Sequence, residues 1–279
     1  MIAAPPDLLV IGGLTVDRFA DGSSAPGGSV LHIARALGPR GLRLAVTTVA
    51  GPEPEAQAGL EEIRGLATRL DSSVASATAT FVHRETPEGR RLWLERRGGR
   101  IRLESVDSAV AHAILVAPIA DEIEEEDLVR LDDAITRAAI LQGFLRSFTS
   151  DGEVRPVPLS GLESGLATAL SAFDLLVASR EDLAGEAVEP SDQLSALRRT
   201  VGPRPELVVT DGVRGVWIQG EHLPVPRVVE GVSSVGAGDV FAAFLLAGGW
   251  PRPAGAAFLR ERAAAAMLAV ADVLEERRG

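Results

Sequence analysis

Residues 7–13, DLLVIGG, form a continuous apolar run closed by two glycines, the pattern of a strand buried on both faces. Residues 29–41, SVLHIARALGPRG, repeat apolar positions at helical spacing, with Ser29 expected as N-cap and Gly38 and Pro39 as stop signals. A second apolar strand is expected at 42–51 and a second helix at 56–70. Strand and helix alternating in this way predict a mostly parallel sheet covered by helices. The rhythm then breaks. ATATFVHRE (77–85) and RRLWLERRG (90–98) are β-type runs joined by TPEG, a hairpin that would stand off the main sheet as a flap. Alternation resumes with a strand at 113–119, a helix at 124–135, a strand beginning at 138, and strands at 173–179 and 206–212. GVWIQG and EHLPVP read as a further hairpin, and the chain beyond Gly238 is mainly helical. No repeat or long linker intervenes, so one α/β domain with a small β flap is the simplest organisation.

Composition narrows the chemistry. The 279 residues are 46% hydrophobic and 24% charged, which suits a large buried core. A formal net charge of −11 argues against a general nucleic-acid binder, which needs a basic surface, but leaves room for a local basic pocket. The N-terminal segment lacks a positive n-region followed by a long apolar core, and no run is apolar long enough to span a bilayer. A cytoplasmic protein without a membrane partner is therefore expected. Without cysteine there is no disulfide framework, cysteine zinc site or thiol nucleophile. All 28 basic residues are arginine, which removes the Walker-type GK[ST] loop, pyridoxal chemistry and Schiff-base aldolases, each of which needs a lysine amine. His32, His83, His112 and His222 are scattered without an HExxH motif, so a zinc hydrolase is not expected. DEIEEED (121–127) reads as a solvated helix start, because acids favour helix N-termini.

The remaining chemistry gathers in SSVGAGDVFAAFLL, residues 233–246. Gly236 and Gly238 let the backbone turn tightly and bring N–H groups near a ligand. The helix that follows starts with unpaired N–H groups at its positive end, an anion site suited to a phosphoryl group. Asp239 either caps that helix or accepts a proton from a hydroxyl nucleophile; the local residues leave both open. A cradle for the moving group and an oriented nucleophile are the two requirements of phosphoryl transfer. A dinucleotide fingerprint fits poorly, since Phe241 stands where GxGxxG needs a small residue and IGGLTVD supplies no such motif after the first strand.

SSVGAGDVFAAFLLAG resembles the C-terminal signature of the ribokinase (PfkB-type) carbohydrate kinases, usually DTxGAGD followed by a helix. Three more segments, in family order, extend the resemblance over nearly the whole chain. LLVIGGLTVDRF is similar to the family's first strand, which ends in a substrate-binding Asp, here Asp17. PGGSVLHIARALGPRGLRLAVTTVAG resembles the second signature, with Gly27 and Gly28 against the substrate. VVTDGVRGVWI resembles the nucleotide-binding VTxGxxG, with Thr210, Gly212 and Gly215 at matching positions. The resemblance implies a three-layer α/β/α ribokinase-like fold with a mostly parallel sheet. It implies a single kinase domain over 1–279, with a small β lid from roughly 14–26 and 77–103. It further implies ATP as co-substrate with Mg²⁺, Asp239 as the base, and the N–H groups of Gly236, Ala237 and Gly238 as the anion hole. The chain departs from the family pattern at three places. His32 replaces the usual Asn of the GG-turn helix, Ser233 replaces the lead-in Asp, and SRED puts Ser179 and Asp182 where NxxE is usual. Ser179 then falls on the ATP side and Asp182 on the metal, through water.

ILQGFLRSFTSDGEVRPVPL followed by LLVASREDL resembles the myo-inositol kinase branch of the family, which also tolerates Ser for that Asn. Gln142 and Arg146 are then candidates for contact with a polyol or phosphate, beside bland roles in loop packing and surface pairing. The expected partner is a small sugar or cyclitol, and both monomer and homodimer fit. A ligand-binding or regulatory protein on the same fold, with weak kinase activity or none, is the alternative suggested by the altered SRED and SSV segments.

Overall fold

The computed structural model describes residues 6–86, 89–103, 111–183, 189–251 and 254–278. The chain opens with β1 (Leu8–Gly12), β2 (Thr15–Arg18) and β3 (Ser24–Gly27), followed by α1 (Ser29–Leu37), β4 (Leu44–Ala50) and α2 (Pro54–Leu66). Next come β5 (Arg69–Val74), β6 (Ala79–Thr86), β7 (Gly89–Arg96), β8 (Ala113–Ala117), α3 (Glu125–Leu128) and β9 (Thr136–Ile140). A hairpin of β10 (Arg146–Phe148) and β11 (Val154–Pro156) leads to α4 (Ser164–Ser171), β12 (Leu175–Ser179), α5 (Pro190–Val201) and β13 (Glu206–Thr210). The hairpin β14 (Val216–Ile218) and β15 (Glu221–Leu223) precedes α6 (Ala237–Leu246) and α7 (Ala256–Glu276).

Nine strands form the central sheet in the order β15-β14-β13-β12-β9-β8-β1-β4-β5. Every neighbouring pair from β13 to β5 is parallel, and only the β14–β15 hairpin is added antiparallel. Alternation along β1 shows why both faces need a cover. Leu8 and Val10 join one apolar cluster with Ile33, Leu60, Phe241 and Leu259 from α1, α2, α6 and α7. Leu9 and Ile11 join another with Leu128, Leu170 and Leu197 from α3, α4 and α5. This is a three-layer α/β/α arrangement, and each fully buried Leu or Ile in it contributes about 1.5–3 kcal/mol. A second, four-stranded sheet in the order β3-β2-β6-β7 stands apart, with β10–β11 against its β7 edge through the Leu94 N–H donated to the Gly152 carbonyl at 2.8 Å.

Several local expectations need correction. The helix expected at 56–70 stops at Leu66, and Arg69–Val74 is the edge strand β5. That strand is largely exposed on both faces, so it carries no apolar alternation to betray it. The helix expected at 124–135 shrinks to one turn, Glu125–Leu128. Downstream the Asp132 carboxylate accepts the Ala134 N–H at 2.9 Å, a local bond that competes with helix continuation. DEIEEED is not simply solvated, since Glu122 is buried and accepts the N–H groups of Ile119 at 2.7 Å and Ala120 at 2.6 Å. Ser29 is not the N-cap of α1; Gly28 is, at φ 101°, and Ser29 instead donates its hydroxyl to the Ala117 carbonyl at 2.6 Å. The tip of the β6–β7 hairpin, residues 87–88, lies outside the described residues.

Candidate active site

The sheet dictates where a ligand can bind. From β1 the chain crosses by α1 to β4 on one side, while β8 takes the other side. Strand order reverses there, and a crevice opens beyond the carboxyl ends of the strands. The two ends meet tightly: a Cβ at Gly12 would overlap the Ala117 carbonyl that Ser29 also binds. The turns after β1, β8, β9, β12 and β13 all lie on this edge.

Asp17 lies on β2 of the small sheet rather than at the end of β1. Its Oδ1 accepts the Thr15 hydroxyl at 3.1 Å, and His83 Nε2 lies 3.6 Å from the same oxygen. Its Oδ2 reaches over Gly27, where any Cβ would overlap it. At Gly28 the positive φ and the Gly13 carbonyl both exclude a side chain. The Gly27–Gly28 turn thus passes under Asp17 as bare backbone.

The start of α6 provides the second wall. Gly236 adopts φ 77° as its N-cap, and no side chain caps the helix. Asp239 stands in the first turn rather than at the capping position, and an acid in that turn also suits the positive end of the helix. The Ala237 N–H is donated to the Ser234 carbonyl at 3.0 Å, so Ala237 closes the turn instead of lining an anion hole. Gly238 faces open space, and among the described residues the N–H groups of Gly236 and Gly238 have no backbone partner. Arg277 from the end of α7 fixes this loop by donating to the Val235 carbonyl at 2.8 Å. The His32 ring packs directly on Gly236, leaving no room for a Cβ. Burial chiefly, with help from Arg277, lowers the His32 imidazole to about 4, so it is neutral near pH 7.

Asp239 is half-buried on the first turn of α6, with protein around it on most sides. Desolvation, reinforced by the Asp182 charge and opposed by Arg146, raises its carboxyl to about 7. Arg146, at the start of β10, is the counter-charge. It is deeply desolvated, feels Asp182, Asp239, Glu122 and Asp17, and forms no ion pair among the described residues. Its single hydrogen bond among the described residues, to the Ile119 carbonyl, is long at 3.4 Å, and its guanidinium lies 6.0 Å from the centroid of Phe81. A cleft of about 430 Å³ opens on its other side, lined by Arg97, Asp121 and Gly143 among others. A guanidinium with unused donors among carboxylates it does not touch is suited to hold an anion.

The turn after β12 carries Ser179 and Asp182 in reciprocal bonds. Asp182 Oδ2 accepts the Ser179 N–H at 2.9 Å, and the Asp182 N–H is donated to Ser179 Oγ at 3.0 Å. Burial raises the Asp182 carboxyl against these bonds. Beside it Thr210 ends β13, its hydroxyl 3.4 Å from the Ala178 carbonyl. Gly212 faces open space at φ 54°, whereas Gly215 is held beneath the Leu223 carbonyl by the β14–β15 hairpin. Buried Asp211 gathers Arg180 at 3.2 Å and Arg214 at 2.5 Å, bringing two guanidinium groups to this end of the crevice.

A profile of the pfkB family carbohydrate kinases matches residues 96–271, more than half of the chain. The chain belongs to the PfkB carbohydrate kinase family. No curated protein matches its sequence. Among solved structures the kinase is similar to a pyrophosphate-dependent myo-inositol-1 kinase converted by substitution into a myo-inositol-3 kinase. That match has TM-score 0.77 and 16% identity, over 96% of this chain and 92% of that one. A pyrophosphate-dependent ribokinase-family kinase bound to a pyrophosphate analogue and myo-inositol gives TM-score 0.75 at 16% identity, over 96% and 95% of the chains. Ribokinase of Arabidopsis thaliana, complexed with ribose and ATP, gives TM-score 0.66 at 17% identity, over 98% and 99%. The fold is therefore ribokinase-like, and the protein is a carbohydrate kinase, a phosphotransferase with an alcohol acceptor.

The kinase's expected Mg²⁺ can be tested against its donor set. Among the described residues no three carboxylates or imidazoles converge on a metal position. Asp182 keeps Oδ1 available while Oδ2 is held by its own turn. One carboxylate oxygen fits a cation held mainly by donor phosphates and water, as Mg²⁺ commonly is. Gln142 follows β9 on the crevice edge, half-buried. Sequence reasoning missed Thr15 and His83, which approach Asp17, and Glu122, which approaches Gly13 in the turn after β1. Only strand register could have found His83: it shares a face with Phe81, and Phe81 pairs with Asp17. No helix among the described residues is long and apolar enough to cross a membrane.

Proposed function

We propose that this kinase transfers the γ-phosphoryl group of ATP to a hydroxyl of a sugar or cyclitol, with Asp239 as the base. The observation that carries this reading is the placement of Asp239: uncapped, at the open N-terminus of α6, and raised to about 7. A base of that pKa is well matched to neutral pH, where it is partly ionised and still a good proton acceptor. The acceptor hydroxyl gives its proton to Asp239 as its oxygen attacks the γ-phosphorus, the bond from that phosphorus to the β–γ bridging oxygen breaks, and ADP leaves with the electron pair. The Gly236 and Gly238 N–H groups and Arg146 face the charge on the transferring group. Asp17, the Gly27–Gly28 turn, His32 and Gln142 line the acceptor side. The β2/β3/β6/β7 sheet acts as a lid that excludes water, the competing acceptor. Mg²⁺ would be held by the donor phosphates with Asp182 through water, and would offset phosphate charge.

Pyrophosphate is a second reading of the donor. It is favoured by the two guanidinium groups at Asp211, which suit a compact, highly charged donor, and by the kind of kinase met in the higher-scoring structural matches. The test is a matrix of donors (ATP, pyrophosphate) against acceptors (ribose, other sugars, myo-inositol), read as phosphorylated product for the wild type and Asp239→Asn. Turnover in the wild type that falls about 10²- to 10⁴-fold in the variant is expected, the usual contribution of a general base. Near wild-type turnover in Asp239→Asn would overturn the assignment of the base.

A further inference from the structure

The two oxygens of Asp17 are treated differently by their surroundings. Oδ1 is approached by the Thr15 hydroxyl at 3.1 Å and by His83 Nε2 at 3.6 Å. Oδ2 projects over the Gly27 backbone, where a side chain at that position would overlap it. His83 is itself fixed: its ring stacks on Phe19 with centroids 5.1 Å apart and planes 24° from parallel. Both members of the pair are shielded, the His83 side chain 10% and the Asp17 side chain 15% exposed. Such shielding lets a polar contact hold a geometry that solvent would otherwise loosen.

We propose that His83 is a positioning residue for the acceptor: it holds Oδ1 of Asp17, so that Oδ2 is presented over the Gly27–Gly28 turn to an acceptor hydroxyl. The inference rests on the reading of Asp17 as an acceptor-binding carboxylate. At 3.6 Å the contact is longer than a hydrogen bond, and polar contacts in active sites commonly tighten when substrate seats. A few tenths of an ångström of movement of β6 toward β2 completes it. Asp17, His83 and Gly27 lie on β2, β6 and β3 of one small sheet, so fixing Oδ1 sets Oδ2 relative to the glycine turn that leads into α1. A hydroxyl needs an acceptor oxygen at one defined point. A carboxylate free to rotate would offer either oxygen and bind the same hydroxyl less well.

A purely space-filling His83 makes a different prediction from a positioning one, and three variants separate them. His83→Leu keeps bulk but removes both ring nitrogens. His83→Gln puts an amide N–H close to the position of Nε2. Thr15→Val removes the other donor to Oδ1. Steady-state kinetics are measured with the acceptor that the wild type phosphorylates best, and folding is checked by cooperative thermal unfolding. The expected result is an acceptor KM raised about 5- to 10-fold in His83→Leu, the scale of one hydrogen bond. Donor KM and kcat stay within about threefold, and His83→Gln recovers most of the loss. An unchanged acceptor KM in His83→Leu, or His83→Gln as impaired as His83→Leu, overturns the inference. Should His83→Leu fail to unfold cooperatively, the other two variants decide: Thr15→Val with raised KM beside a near-normal His83→Gln supports it, and any other pairing overturns it. A wild type inactive across the whole panel overturns the underlying kinase assignment of Asp17 instead.

Discussion

Replacing Asp239 by Asn should inactivate the kinase and stabilise it. The carboxyl is raised from 3.8 to about 7, chiefly by desolvation, with the Asp182 charge adding to the effect. A folded-state pKa above the unfolded one means that the native protein binds the extra proton between about pH 4 and pH 7. Stability contributed by the protonated group is therefore present at low pH and lost as pH rises through this window. Three units at about 1.36 kcal/mol each set an upper bound of about 4 kcal/mol on the cost of ionising Asp239 in the fold at pH 8. Water reaching the carboxylate from the crevice reduces it, so about 2–4 kcal/mol is the working range. Asparagine keeps the shape and cannot ionise.

For a chain of this length the unfolding entropy converts that range to a Tm about 3–7 °C higher for Asp239→Asn at pH 8. The gap should narrow as pH falls and vanish below about pH 4, as the wild-type carboxyl becomes neutral in both states. Thermal unfolding of the two proteins in matched buffers at pH 4, 6 and 8 reads this directly. In parallel, wild-type kcat should rise with pH and level off above about 7. A variant no more stable than the wild type at pH 8, or a Tm difference independent of pH, would refute the argument that burial of this carboxyl is what tunes it.

The neighbours give two shifts of opposite sign. Asp182→Asn removes a charge that raises the Asp239 carboxyl and should move the acid limb of the kcat–pH profile down, whereas Arg146→Met removes a lowering charge and should move it up. Parallel movement of the two limbs would contradict the charge arrangement. Gly236→Ala forces a left-handed φ and a clash with His32, which together cost about 2–4 kcal/mol, while Gly238→Ala faces open space and should unfold within about 1 kcal/mol of wild type; thermal unfolding distinguishes them. His32, lowered to about 4, should show no imidazole titration by NMR above about pH 5. Its contribution to stability is complete above about 6.5 and falls as pH drops toward 4; a titration near 6.5 would refute its burial as a neutral group.

The parts of this molecule that were legible in the sequence are those specified over short spans. Buried strands such as Leu8–Gly12 and Glu206–Thr210 need apolar residues on both faces and say so in five consecutive positions. Gly28 and Gly236 adopt a positive φ and a Cβ at Gly27 would overlap Asp17, so glycine at these turns stands out for a physical reason. What escaped is of two kinds. Edge strand β5 is largely exposed, so no apolar period marks it, and α3, which buries Asp127 and Leu128, is only one turn of the helix expected over 124–135. Ser29, Glu122 and the Ala237 amide were misread because their partners are fixed by how segments close on one another. The Ser29 hydroxyl meets a carbonyl 88 positions away, Glu122 folds back on the turn after β8, and Ala237 closes onto Ser234.

The charge centre takes this non-local logic furthest. Asp17 follows β1, Glu122 follows β8, Arg146 follows β9, Asp182 follows β12, and Asp239 arrives on α6. In a parallel sheet every one of these turns leaves from the same edge, so topology alone brings five charges together that the sequence spreads over more than two hundred residues. Four of them are negative and one is positive, and none of the carboxylates neutralises the arginine by contact. Burial raises the Asp182 and Asp239 carboxyls against the lowering charge of Arg146, the Asp182 charge adding to the rise at Asp239, while most guanidinium donors stay unused. A protein selected for stability alone would pair Arg146 with one of these acids. Holding them apart in a desolvated crevice is costly to the fold and useful to a reaction that must receive a phosphoryl anion and remove a proton at neighbouring points.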